Sequence, residues 1–180
     1  MKTKFGLTLL SILLSVKMQA QTPSATTVMN EAYAKAKKEK KNVFLMFHAS
    51  WCGWCHRMDT SMNDASCKKF FDDNYVITHL TVDESPDKKD LENEGADEMR
   101  NKYGGKDQGI PYWLVFDAEG KLLADSRMKQ VGTQTLSGDN TGCPAAENEV
   151  LYFLSVLRKT SYMTREHLEG VITRFRIYAM

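Results

Sequence analysis

The sequence predicts an α/β fold, and three observations carry that prediction. Four short apolar runs read as strands: Asn42–His48, Tyr75–Val82, Tyr112–Asp117 and Leu122–Ala124. Longer segments with apolar residues at helical spacing lie before, between and after them. The first run is apolar at both alternating sets of positions, as a central strand covered on both faces would be. A chain of 180 residues is the size of one domain.

Taken in order, residues 21–27 are polar, and Thr27 can cap a helix from Val28 to about Glu39 with Val28, Ala32 and Ala36 on one face. Lys37, Lys38, Lys40 and Lys41 crowd its end, where cations suit the negative pole of a helix. After the first strand a helix begins at Cys52 and breaks between Ser61 and Asn63. Asp64 then opens a second helix to about Asp73. Residues 83–109 form a long connection holding an inserted helix. Pro86 opens it, Leu91, Met99 and Tyr103 are its apolar contacts, and Gly104-Gly105 ends it. The turn Ala118–Lys121 joins the last two strands. Residues 127–142 are rich in Gly, Thr, Ser, Gln and Asn and read as a loop. Pro144 fits the first turn of a helix with Val150, Phe153, Leu154 and Leu157 on its apolar face. Thr164 starts an extra C-terminal helix with Leu168, Val171, Ile172 and Phe175.

The chemistry concentrates in Trp51-Cys52-Gly53-Trp54-Cys55. Two residues between the cysteines fit one helical turn, so the pair can close a disulfide or open to a dithiol. A strand-to-helix junction puts Cys52 at a helix N-terminus, where the dipole and free N–H groups favour the thiolate. Cys52 is therefore the expected attacking thiolate, the more exposed and more acidic of the two, and Cys55 the resolving thiol. The same spacing suits a permanent structural disulfide or half of a metal site. Zinc would need two further ligands, and there is no second C-x-x-C. Cys52 to His56 also matches C-x-x-C-H, the attachment signature of c-type haem.

Together with Gly109-Ile110-Pro111, the strand that follows it and the glycine turn at Gly120, the W-C-x-x-C motif resembles the thioredoxin superfamily, above all its exported bacterial members. The resemblance covers roughly residues 28–157. It implies a thioredoxin-like fold, a central mixed sheet flanked by helices, with an inserted helix before the proline strand and the extra C-terminal helix as additions. It implies a cis peptide before Pro111, which sets the Ile110 backbone beside the active sulfurs. It also implies thiol–disulfide oxidoreductase activity without a cofactor or metal. Protein thiols or disulfides would be substrates, and an electron donor or acceptor protein would act upstream. Ile110 before the proline and Gly53 after the nucleophile resemble reducing members. An oxidase or isomerase is the alternative, with a c-type haem carrier behind it. Trp51, Trp54, Ile110 and Pro111 are the candidate substrate contacts, the two tryptophans reading equally as surface packing.

The chain departs from the family at two positions. Six residues before the first cysteine, where thioredoxins carry a buried acid, stands Met46; four before it, in place of Trp, stands His48. His48 or His56 could tune the thiols electrostatically, or serve as structural histidines. Cys67, beside Phe70 and Phe71, reads as a buried small hydrophobe, and Cys143 as an inert loop cysteine or a third thiol near Cys52.

Residues 1–20 have the three parts of a secretory signal: Lys2 and Lys4, the apolar run Phe5–Val16, and Met18-Gln19-Ala20 before a new N-terminus at Gln21. The expected domain is then 21–180, periplasmic or otherwise exported. Removing residues 1–20 takes away three lysines and no acid, leaving 21 basic residues against 23 acidic, a net of −2. That balance points away from nucleic acid and from an anionic membrane surface, with no stable membrane association after cleavage.

Overall fold

The computed structural model describes residues 21–129 and 138–178. The signal segment expected at 1–20 lies outside them, as does part of the loop expected at 127–142.

The elements in chain order are α1 (Ala25–Glu39), β1 (Asn42–His48), α2 (Gly53–Met62), α3 (Lys68–Asn74), β2 (Tyr75–Thr81), a 3₁₀ turn (Pro86–Leu91), α4 (Ala96–Lys102), β3 (Tyr112–Phe116), β4 (Leu122–Asp125), α5 (Glu147–Thr160), α6 (Arg165–Phe175) and a final 3₁₀ turn (Arg176–Tyr178). The sheet order is β2-β1-β3-β4. β1 and β2 run parallel, with α2 and α3 in the crossover between them; β3 is antiparallel to β1, and β4 to β3. The expected mixed sheet flanked by helices is what forms.

β1 explains the layering. Successive side chains point to opposite faces. Phe44 and Met46 join one cluster with Trp113, Phe71, Phe153 and the buried residues of α2, α5 and α6. Val43, Leu45 and Phe47 join the other with Leu114, Phe116, α1 and Ala96 of α4. All five central residues of β1 are fully buried. Among the described residues, no helix is long and apolar enough to cross a membrane.

Several element boundaries differ from expectation, each through specific hydrogen bonds. α1 starts at Ala25, capped by Ser24, whose Oγ accepts the Thr27 N–H at 3.2 Å. The Ala25 N–H is already tied to Glu94 O at 2.8 Å. Its buried face is accordingly Ala25, Met29, Ala32 and Ala36, with Val28 only partly covered. Asp64 does not open α3. Its carboxylate accepts the N–H and hydroxyl of Ser66 in a turn, and α3 begins at Lys68.

The inserted segment is two short pieces rather than one helix. Asn93 divides them: its Oδ1 accepts Thr81 N–H at 2.7 Å and its Nδ2 donates to Pro23 O at 2.8 Å. Gly95, at φ +81°, then makes a reversal that a side chain would oppose. Met99 and Tyr103 pack on the core as expected, but Leu91, on the first piece, stays exposed. Pro144 also falls outside its expected helix. α5 starts at Glu147, because the Ala145 and Ala146 N–H groups both donate to Glu149 Oε2 and hold the approach extended.

Candidate functional site

β1 delivers the chain to Ala49, and the next three residues turn it into α2. The Cys52 N–H donates to Ala49 O at 3.0 Å. Cys52 has extended backbone angles and caps α2, its Sγ accepting the Cys55 N–H at 3.1 Å. The expected junction is therefore present, with Cys52 one residue ahead of the helix. Cys52 and Cys55 are bonded to each other, with Cα atoms 5.3 Å apart. Cys55 is completely buried, and Cys52 keeps 3% of its surface.

The Ile110–Pro111 peptide is cis. The Ile110 carbonyl oxygen lies 3.6 Å from Cys52 Sγ. Asn140 fixes this turn by donating Nδ2 to Gly109 O and to Pro111 O. Beside it opens a pocket of about 610 Å³, lined among others by Trp54, Ile110, Pro111, Cys143 and Tyr178. Three of the four candidate contact residues thus share one cavity. The fourth, Trp51, does not line it. Trp51 is largely exposed, and its indole N–H is held by Asp83 O at 2.8 Å. Trp54 meets Tyr178 edge to face, 6.4 Å between ring centres, and carries the Arg57 guanidinium 4.4 Å above its ring. A cation over an aromatic face favours that stacking.

The opposite flank of α2 is polar. Glu84, nearly buried, accepts Ser50 N–H at 2.5 Å and Ser50 Oγ–H at 2.8 Å. Burial pushes its carboxyl pKa up, but the two Ser50 bonds outweigh that and hold it below the usual carboxylate range. Asp83 is clamped by Arg100 through two nitrogens. His48 is half-buried, its Nε2 3.3 Å from Thr81 Oγ1 and its ring centre 5.0 Å from that of His79. Burial, and then the neighbouring His79, lower its pKa, so it is neutral at neutral pH. His56 Nε2 lies 3.0 Å from Ser50 O. Asp59 Oδ1 lies 2.9 Å from His79 Nε2. Met46, at the position of the missing acid, is fully buried in the core cluster that contains both cysteines.

Cys67 and Cys143 are free and buried. Cys67 Sγ donates to Ser61 O at 2.8 Å, the small buried residue expected. Cys143 joins the core cluster that also contains the bonded Cys52 and Cys55. Burial pushes its thiol up to about 12, which leaves it protonated. Among the described residues, no three His, Cys, Asp or Glu side chains converge to hold a metal ion.

Glu84, Asp59, His79, Arg57 and Tyr178 also belong to the site, and none is among the expected site residues. Glu84, His79 and Tyr178 arrive from distant segments. Arg57 and Asp59 lie on α2 itself, at i, i+3 from Trp54 and i, i+4 from Cys55, spacings visible in the sequence.

Spermatogenesis-associated protein 20 of Mus musculus is 36% identical over 58 residues, 32% of this chain and 7% of that protein. An uncharacterized Caenorhabditis elegans protein is 38% identical over 58 residues, 32% of this chain and 8% of its own. The match therefore spans less than a tenth of these relatives' length. Among solved structures, a disulphide isomerase from Xylella fastidiosa Temecula1 is 23% identical with a TM-score of 0.46, covering 64% of this chain and 80% of its own. A DsbH oxidoreductase is 23% identical with a TM-score of 0.43, covering 86% and 95%. The sequence profile described as thioredoxin-like matches residues 24–118, more than half of the chain. That match runs from α1 through both cysteines to the end of β3, and the chain belongs to the thioredoxin-like family.

Proposed function

We propose that this protein is an exported thiol–disulfide oxidoreductase that reduces disulfides in other proteins through Cys52 and Cys55. The observation that carries the reading is the position of Cys52. It caps α2, its sulfur meets a helix N–H, and it can exchange its bond between Cys55 and an outside sulfur beside the Ile110 carbonyl. Helix N-terminal placement stabilises a thiolate, the form that attacks a disulfide.

The Cys52 thiolate attacks a substrate disulfide, forming a mixed disulfide and releasing one substrate sulfur as thiolate. Cys55 then attacks Cys52 Sγ, closes the pair and releases the second substrate sulfur. The pair is oxidised, the substrate reduced, and a partner protein of the same dithiol chemistry restores the thiols. Burial of both sulfurs favours this chemistry over thioether attachment of a haem. Trp54, Ile110 and Pro111 bound the cavity where the substrate chain lies. Residues 1–20 act as the export signal and the working domain is 21–180.

An insulin-reduction assay with glutathione or dithiothreitol as electron source tests the activity. The wild type precipitates the reduced insulin chain faster than the reductant alone, Cys52→Ser does not, and Cys55→Ser accumulates mixed disulfides with its substrates. Equal trapping by Cys52→Ser would overturn the role given to each cysteine.

A further inference from the structure

The resolving step needs a proton acceptor. Cys55 is fully buried, so water does not reach its sulfur directly, and Met46 beneath the site cannot take a proton. Asp59 lies one turn further along α2 from Cys55, a spacing that brings Cβ atoms to about 5–6 Å on one helix flank. Its Oδ1 is engaged by His79 Nε2 at 2.9 Å. His79 stands on β2 directly opposite Met46 in the β1–β2 register, so it shares the face of the sheet that carries Met46 and the cysteines. Both side chains keep about a third of their surface, 30% for Asp59 and 32% for His79. The pair thus stands one helical turn from a dry sulfur and is itself open to solvent.

We propose that Asp59, backed by His79, accepts the Cys55 proton during resolution. The inference rests on the oxidoreductase reading above. In the mixed disulfide the Cys55 S–H proton passes to Asp59 Oδ2, the oxygen that His79 does not engage. The Cys55 thiolate then attacks Cys52 Sγ and the Cys52–Cys55 bond forms. The bond to the substrate sulfur breaks, and its electron pair leaves on that sulfur. Asp59 returns the proton through solvent to the departing thiolate. A carboxylate paired with an imidazole spreads the arriving charge, a form of general base catalysis.

The charged and titratable groups around the pair are few. His48 faces His79 from β1, and His56 sits on α2 against Ser50 O. Glu84 lies on the loop after β2, with Cys143 before α5. Arg57 is on the other flank of α2, over Trp54. None of them bonds Asp59, and His48 is held neutral.

Reaction of the reduced full chain with 5,5′-dithiobis(2-nitrobenzoate) separates the two steps. Attack by Cys52 releases one thionitrobenzoate, and resolution by Cys55 releases the second. In Asp59→Asn the ratio of second-phase to first-phase rate at pH 7 falls about 100-fold, the lower end of a general-base contribution, and the second-phase pH midpoint moves upward. His79→Gln shows a smaller fall, and Asp59→Glu restores part of the rate. If Asp59 acted only by its charge, Asn would make Cys55 more acidic and quicken the second phase, which overturns the proposal. An unchanged pH profile in Asp59→Asn and His79→Gln overturns it too, while leaving the oxidoreductase reading intact. A wild type that never releases the second equivalent removes both.

Discussion

Glu84 holds the backbone of Ser50: one carboxylate oxygen takes its N–H at 2.5 Å and the other its hydroxyl at 2.8 Å. Asp83, the preceding residue, takes the Trp51 indole N–H on its carbonyl and is itself gripped by the buried Arg100. The turn that aims Cys52 is therefore fastened to the segment after β2, not only to its own helix.

Removing that fastening has a calculable effect. Glu84→Ala leaves the Ser50 N–H without its partner and costs about 1–3 kcal/mol of stability, measured by urea unfolding. The pH dependence has a definite sign. The folded pKa of Glu84 lies below the unfolded value, so its contribution is complete above about pH 4.3 and is lost as pH falls through the lower folded value. Glu84→Gln flattens the stability curve in that acid window; a curve as steep as the wild type's would mean that Glu84 carries no such linkage.

Much of this architecture was legible in the sequence. Two-faced burial of β1, the helical spacing of Val150, Phe153 and Leu157, and the Cys52 junction are periodic or local, and each formed where expected. Two of the misplaced boundaries depend on distant segments. Ser24 and Thr27 are both able to cap α1, and a long-range bond from Ala25 to Glu94 decides between them. Asn93 reads as an ordinary polar residue, yet its two bonds to Thr81 and Pro23 split the inserted helix. The pairing of Asp59 with His79 depends on strand register across a crossover, and Tyr178 reaches Trp54 from the far end of the chain. No periodicity encodes either.

The chain replaces the family's buried acid by Met46, and the structure shows what reversal would do. The Met46 side chain is fully enclosed in the core cluster with Cys52, Cys55 and Trp113. Met46→Asp places a carboxyl there, at a cost of about 2 kcal/mol or more at neutral pH. Burial raises the new carboxyl's pKa, so the loss grows as pH rises above about 4 and the unfolded chain ionises first. Denaturant titrations at pH 4 and pH 7 check this. Equal stability loss at both would show that the site is wetter than its burial implies.

Cys143 lines the cavity as a free, buried thiol. Its thiol, pushed up to about 12 by burial, carries almost no thiolate at pH 8. With the Cys52–Cys55 bond closed, iodoacetamide should add nothing to the folded protein within minutes. It should add two groups, at Cys67 and Cys143, after denaturation. Mass spectrometry distinguishes the two states. Rapid labelling of Cys143 in the folded protein would make it a reactive thiol beside the active pair.

The proposed function requires Cys52 and Cys55 to cycle between disulfide and dithiol at a reducing potential. Equilibrating the purified protein against graded glutathione buffers, then alkylating and weighing it, reads the fraction reduced directly. A single two-electron transition is expected at a potential near that of thioredoxin, about −270 mV, and is lost in Cys52→Ser. A midpoint near the about −120 mV of a strong disulfide oxidant would reverse the assigned direction. A pair that stays bonded throughout would make Cys52–Cys55 a structural disulfide and rule out the proposed oxidoreductase.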